Sequence, residues 1–137
     1  MKSKAKSATA LRIASAAISV LLAAFFGFVG YNKAFAPLDD LARYGSWTIW
    51  IPETLGRAVG WSEMACALAL LAGTARPPLG RAGAWILVVN QVCAASVHAA
   101  HAEFHALPQN LVLIALLIAV AATPTPRAAS PIPQGAM

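Results

Sequence analysis

The sequence has little charge: 11% of its 137 residues are Asp, Glu, Lys or Arg, whereas 59% are hydrophobic. With a mean hydropathy of +0.67, this composition excludes an ordinary soluble domain, in which about a quarter of the residues are charged. Of the charged residues, only five are acidic, against ten Lys and Arg. The basic residues lie mostly near the chain ends and in one short turn, which argues against nucleic-acid binding and favours lipid headgroups as the acidic partner.

Cysteines and cofactor motifs are also scarce. Cys66 and Cys93 both lie in apolar stretches and form no CxxC pair, so they do not indicate a disulfide framework. Two interpretations stay open: both are small buried hydrophobic residues, or they form a redox pair across neighbouring helices. The chain has no CxxCH or GxGxxG motif and no cysteine cluster, so no haem, flavin or iron–sulfur cofactor is evident.

Long hydrophobic runs are abundant. A bilayer core about 30 Å thick needs about 20 apolar residues of helix. Four runs predict an all-α fold, a four-helix transmembrane bundle with spans at about 13–31, 55–73, 82–100 and 108–122. Pro77 and Pro78 separate the second span from the third, because two prolines cannot continue a helix. Residues 1–12 are expected to form a basic cytoplasmic N-terminus, and residues 124–137 a disordered Pro-rich tail.

Basic loops are retained in the cytoplasm, so the Lys and Arg distribution predicts the orientation. Lys33, Arg43 and Arg57 fall on one side of the four spans. The other side holds seven basic residues: Lys2, Lys4, Lys6, Arg12, Arg76, Arg81 and Arg127. We therefore expect a multi-pass protein of the inner membrane with both termini in the cytoplasm.

A short interfacial segment is predicted between helices 1 and 2. Leu38 and Leu41 follow helical spacing, and the residues from Trp47 to Ile51 alternate in polarity. Aromatic rings in and around this segment predict a belt at the outer interface: Tyr31, Tyr44, Trp47, Trp50 and Trp61. Such a segment serves either as a lipid-anchored lid or as a recognition loop.

Glu63 is an acid inside a predicted span, where an ionisable side chain costs about 2.5 to 3.5 kcal/mol and usually faces a partner in the bundle. His98 on the third helix is the base we expect for it, and Lys33 ends the first helix at the same level. These side chains, with Asn90 or Gln91, predict an outward-facing polar pocket. The alternative is a polar zipper that only holds the helices together. Small residues such as Gly30 and Gly60 would let those helices approach closely.

Gln91, His98 and His105 are spaced by seven residues and fall near one helical line, and Asn90 and His101 fall on a neighbouring line. One of these two stripes must face the bundle. The spacing of His98, His101 and His105 also suits Zn or Cu ligands, although no HExxH or CxxC motif accompanies it. Histidines at a helix end are otherwise simply hydrated.

Three short motifs lie in successive spans: Gly30-Tyr-Asn-Lys33, Gly60-Trp-Ser-Glu63, and a third span that ends in His98, with Pro108 before the fourth. On these motifs, residues from about 10 to 123 resemble the DoxX-like family of small bacterial membrane proteins. The resemblance implies a four-helix transmembrane fold, with Lys33, Glu63 and His98 as the positions that carry family function. The additional His101 and His105 leave open which histidine has that role.

The family name goes back to a subunit associated with a thiosulfate and quinone oxidoreductase. By this resemblance we expect a membrane protein without catalytic activity of its own that binds a quinone or another small lipophilic molecule. Glu63 and His98 would exchange a proton there, and Lys33 would attract an anionic oxygen. Two alternatives are a subunit of a quinone-linked oxidoreductase and a structural partner in a membrane complex.

Overall fold

A computed structural model describes residues 2–123 of the chain, with side chains from residue 6 onward. Met1 and the predicted disordered tail, residues 124–137, lie outside the described residues. The elements follow in the order α1 (Lys2–Phe35), α2 (Leu38–Arg43), a 3-10 turn (Trp47–Trp50), α3 (Glu53–Ala72), α4 (Pro77–Ala100), a 3-10 turn (Phe104–Ala106) and α5 (Leu107–Ala122). Four helical stretches are long and apolar enough to cross a membrane. The last of them, Phe104–Ala122, includes both the second 3-10 turn and α5. The predicted all-α bundle is confirmed.

The four long helices form a closed ring in which α1 packs on α3, α3 on α4, α4 on α5, and α5 again on α1. Each helix contributes one large side chain to the centre of the core: Phe26, Leu70, Leu87 and Leu117. Large apolar side chains are also exposed on the outside of every long helix, as Phe28, Leu68, Val89 and Leu111 show. An apolar exterior around an apolar core is what a lipid solvent requires.

Two helices begin earlier than the sequence predicts. α1 begins at Lys2, so the basic N-terminal segment continues the first membrane helix. α4 begins at Pro77 instead of near residue 82. Proline fits there because the N–H groups of the first helical turn have no intrahelical partner, and the ring presets the helical backbone angle. The two prolines therefore separate α3 from α4, as expected, and also start α4.

The backbones of α1 and α3 touch at two glycines. A Cβ atom built on Gly30 would lie 2.7 Å from the carbonyl oxygen of Gly60, and one built on Gly60 would lie 2.6 Å from the backbone nitrogen of Ala34. Neither position has room for a side chain. This close contact sets the two helices at a separation at which Lys33 of α1 can reach Glu63 of α3.

The interfacial segment consists of α2 and the 3-10 turn from Trp47 to Trp50, joined by short non-helical stretches, so the alternating residues from Trp47 onward lie mostly on a helical turn. The backbone N–H of Ile49 donates to the carbonyl of Ser46, and that of Ile51 donates to Thr48. These local bonds satisfy backbone groups that have no neighbouring strand. Trp47 consequently turns inward and is only 7% exposed, so it does not belong to the predicted aromatic belt. Tyr44 stays on the outside.

Candidate functional site

A buried ion pair joins α1 and α3. The Nζ atom of Lys33 lies 2.6 Å from Oε1 of Glu63, and the two residues are 4% and 0% exposed. The amide Nδ2 of Asn90, on α4, donates to the same oxygen at 2.6 Å. The second carboxylate oxygen, Oε2, has no hydrogen-bond partner in the described part of the chain. We expected His98 as the base beside Glu63; the structure gives that position to Lys33, because the Gly30–Gly60 contact brings α1 against α3.

Arg57 holds the end of α1 in place. Its NH1 group donates to the backbone carbonyls of Lys33 and Ala36 at 2.9 and 2.6 Å, and its NH2 group donates to Glu53 at 3.1 Å. The last carbonyls of a helix lack intrahelical partners, so a guanidinium group can cap them. Sequence reasoning identified Arg57 only as a charge outside the membrane. Its spacing of four from Glu53 indicates an ion pair but not the contact with α1.

His98 is paired with Glu103, which follows it in the chain. Nδ1 of His98 lies 2.7 Å from Oε2 of Glu103, and Ala102 adopts a left-handed backbone conformation (φ 58°) that reverses the chain between them. Hydrogen bonds from His98 and Trp50 to the Glu103 carboxylate hold the pKa of that carboxyl below its usual range. The imidazole is therefore oriented by an acid outside the helices, and sequence reasoning missed this partner.

A cavity of about 350 Å³ lies between α1, the interfacial segment, α4 and α5. Its apolar lining includes Phe25, Phe28, Leu41 and Leu113, and its polar lining includes Asn32, Lys33, Trp47, Gln91, His98 and Asn110. Among the described residues, four buried side-chain polar atoms lack a hydrogen-bond partner. Residues that line this cavity hold three of them: Trp47 Nε1, Gln91 Oε1 and Asn110 Nδ2.

The predicted pocket residues divide into two groups. Lys33 and His98 line the cavity, whereas Glu63, which pairs with Lys33, and Asn90, which donates to Glu63, are outside the lining. Gln91, the alternative to Asn90, does line the cavity. Gln91 and His98 are buried on the cavity side of α4, and Asn90 of the neighbouring stripe also turns inward, to Glu63. Trp47 and Asn110 were not predicted, because nothing local in the sequence indicates that they point inward.

The three histidines do not come together. His101 is exposed, stacks on Trp50 with ring centroids 4.0 Å apart, and bonds through Nδ1 to the carbonyl of Val97. His105 lies beyond the end of α4, in the second 3-10 turn. Within residues 6–123, no three His, Cys, Asp or Glu side chains form a group that could hold a metal ion. The described part of the chain therefore gives no support to a metal site at His98, His101 and His105, since α4 ends at Ala100 and the chain turns.

Cys66 is buried, Cys93 is exposed, and both thiols are free. Cys93 is therefore not the small buried residue that one interpretation expected, and the structure contains no bond between the two. The buried Cys66 packs in the apolar core with Phe26 and Leu70.

Four apolar helices of membrane-spanning length, packed around an ion pair that is shielded from lipid, define a multi-pass membrane protein. The chain belongs to the DoxX-like family, whose family model matches residues 17–120. This match confirms the family that the Gly-x-x-Lys and Gly-x-x-Glu motifs indicated. No curated protein and no solved structure is significantly similar to the chain.

Proposed function

We propose that this protein binds a quinone or quinol ring in the cavity between α1, α4 and α5, with the cavity on the outer side of the inner membrane and both termini in the cytoplasm. One observation carries the proposal: three buried polar atoms without a partner belong to residues that line this one cavity. A buried polar group without a hydrogen bond costs about 1 to 3 kcal/mol. Because the residues that carry these groups line one space, small rotations of their side chains would let a ligand there complete the bonds.

The polar atoms differ in what they offer. The indole N–H of Trp47 and the amide Nδ2 of Asn110 are donors, whereas Oε1 of Gln91 is an acceptor. A quinone ring presents carbonyl oxygens that accept from the two donors, and a quinol also presents hydroxyl groups that donate to the acceptor. Phe25, Phe28 and Leu113 supply apolar surface for the ring. A volume of about 350 Å³ falls within the range of small-molecule sites, about 300 to 1,000 Å³.

His98 adds a proton acceptor. The Glu103 carboxylate accepts a hydrogen bond from Nδ1, which places the proton of a neutral imidazole on that nitrogen. Nε2 then keeps its lone pair for a ligand hydroxyl. A proton taken up from a quinol hydroxyl at His98 has a route outward through Glu103, whose side chain is 24% exposed.

Lys33 places a positive charge beside the cavity, and its own counter-charge comes from Glu63 behind it. The Nζ atom also lies 5.5 Å from the centre of the Trp47 ring, within the range of a cation–π contact. In this proposal the ion pair positions Lys33 and Trp47, and Glu63 does not exchange a proton with His98.

The test is calorimetric titration of the protein in nanodiscs with a short-chain ubiquinone analogue. Asn110→Leu and Gln91→Leu should each weaken binding about tenfold, because each removes one hydrogen bond to the ligand. Both variants should also raise the stability of the ligand-free protein, since each removes a buried polar group that has no partner. Ser96→Ala is the matched control, because Ser96 is exposed and bonds only within α4.

Binding must also depend on the ligand oxygens, so naphthalene should bind at least tenfold more weakly than the quinone. The proposal fails if the quinone does not bind, or if both leucine variants bind it as the wild type does. A loss of stability in the two leucine variants would support the polar zipper.

A further inference from the structure

A second, smaller cavity lies at the opposite end of the bundle from the Lys33–Glu63 pair. It has a volume of about 90 Å³ and lies between α1, the α3–α4 turn and the end of α5. That is about three times the 30 Å³ that a water molecule occupies in the liquid, so the space suits a compact anion and not a ring. Its polar lining comprises Arg12, Ser15, Ser19, Thr74, Arg81 and Thr123.

Within the described residues, the two arginines have no acidic partner. All five Asp and Glu residues of the chain lie elsewhere: Asp39, Asp40, Glu53, Glu63 and Glu103. Among the described residues, no ion pair includes Arg12 or Arg81. Arg81 donates one bond, from NH2 to the carbonyl of Thr123 at 2.7 Å. The side chain of Arg12 makes no hydrogen bond to the described part of the protein. Among residues 6–123, their charge is therefore not committed to a carboxylate and is available to a bound anion.

The hydroxyl groups of Ser15 and Thr123 lie 3.0 Å apart in the same lining and join α1 to the end of α5. They place neutral polar groups beside the guanidinium groups, an arrangement that suits the oxygens of a tetrahedral anion. Leu11, Ile13 and Leu79, which are exposed at the same end, present apolar surface to the surrounding lipid. Basic pockets between membrane helices on the cytoplasmic side bind anionic headgroups by this combination.

We propose that this cavity binds a phosphate group, with Arg12 and Arg81 as the charged contacts. The phosphate is either that of an anionic phospholipid headgroup or free inorganic phosphate. The proposal does not depend on quinone binding in the larger cavity, because the two cavities share no residue.

The lipid arm of the test compares nanodiscs of phosphatidylcholine alone with nanodiscs that also contain phosphatidylglycerol. Native mass spectrometry counts the phosphatidylglycerol retained by each protein chain. Arg12→Gln should retain it at least tenfold more weakly than the wild type, because the substitution removes one charged contact. Arg12 is the first choice because its side chain bonds to no described residue, so the variant should fold. Arg81→Gln then tests the second contact.

Arg76→Gln is the matched control. Arg76 lies at the same end, carries the same charge and is exposed as Arg12 is, but it is outside the cavity lining. A second arm compares thermal unfolding in sodium phosphate and in sodium chloride at equal ionic strength. If Arg12→Gln abolishes the retention of phosphatidylglycerol, the ligand is the lipid headgroup. If sodium phosphate raises the Tm of the wild type but not of Arg12→Gln, the ligand is free phosphate.

The proposal is overturned if Arg76→Gln lowers retention as much as Arg12→Gln, because the effect would then be general surface charge. It is also overturned if neither anion distinguishes the wild type from Arg12→Gln.

Discussion

Replacing Lys33 and Glu63 singly and together should give strongly non-additive changes in stability. Lys33→Met leaves the Glu63 carboxylate fully buried, with Asn90 as its remaining partner. Glu63→Gln leaves a lysine that is 4% exposed without a counter-charge. Breaking a buried ion pair from one side costs about 3 to 5 kcal/mol, because an uncompensated charge stays behind. The double variant removes both charges and should cost much less than the sum.

The size of the effect follows from the burial of both partners. If each single variant loses about 3 to 5 kcal/mol and the double variant loses no more than one of them, the coupling free energy is at least about 3 kcal/mol. The exposed pair Arg43–Asp40, with 3.6 Å between its charged atoms and side chains 72% and 40% exposed, should couple by about 1 kcal/mol or less. That pair is the internal control.

The assay is reversible unfolding in mixed micelles, followed by far-UV circular dichroism, of the wild type, the two single and the double variants of Lys33 and Glu63, and the corresponding three variants of Arg43 and Asp40. Quinone titration of the same variants separates the structural role of the pair from the binding role of Lys33. An additive result for Lys33→Met and Glu63→Gln would refute the reasoning, since two buried, oppositely charged groups 2.6 Å apart must interact. A coupling free energy equal to that of the exposed Arg43–Asp40 pair would also refute it.

Three further predictions test other parts of the structure. Gly60→Ala should cost about 1 to 3 kcal/mol of unfolding free energy, because a Cβ atom has no room there. Gly27→Ala is the control: its Cβ would lie 3.9 Å from the nearest atom, so it should cost less than about 0.5 kcal/mol. Equal Tm values for the two variants would contradict this packing. Glu103 has a lowered pKa, so its contribution to stability is present at neutral pH and disappears as the pH falls through that lowered value. Glu103→Gln should therefore flatten the acidic limb of a Tm-against-pH curve, and an unchanged limb would count against the histidine contact. Arg57→Met leaves two carbonyls at the end of α1 without their cap and should cost about 1 to 3 kcal/mol, which chemical denaturation would detect; no change would mean that water replaces the cap.

The sequence alone predicted the four spans because hydropathy is a local property: about 20 apolar residues fill the bilayer whatever surrounds them. It also placed Lys33, Glu63 and His98 near one level, since a helix rises by about 1.5 Å per residue. The Gly-x-x-Lys and Gly-x-x-Glu motifs indicated the DoxX-like family, which the family model then matched.

The depth of a residue in the membrane does not decide which of the side chains at that depth touch each other. Contact also depends on the rotation of each helix about its axis and on the order of the helices around the ring. The Gly30–Gly60 contact brings α1 against α3, so Lys33 reaches the carboxylate and His98 does not. The direction of a side chain within the bundle is therefore a property of packing between distant segments.

The loops show the same limit. The left-handed backbone at Ala102 returns Glu103 to His98, and the 3-10 turn that starts at Trp47 sends its indole into the cavity. Neither follows from the spacing of polar and apolar residues.

Composition and periodicity by themselves determined that this chain crosses a bilayer four times and must shelter an acid within it, because both depend on the transfer of single residues from water to lipid. Only the tertiary structure decided that a lysine neutralises the acid and that a tryptophan, a glutamine and an asparagine face one cavity. Those outcomes depend on the rotation of each helix about its axis and on the packing between helices, which the sequence of one segment alone does not determine.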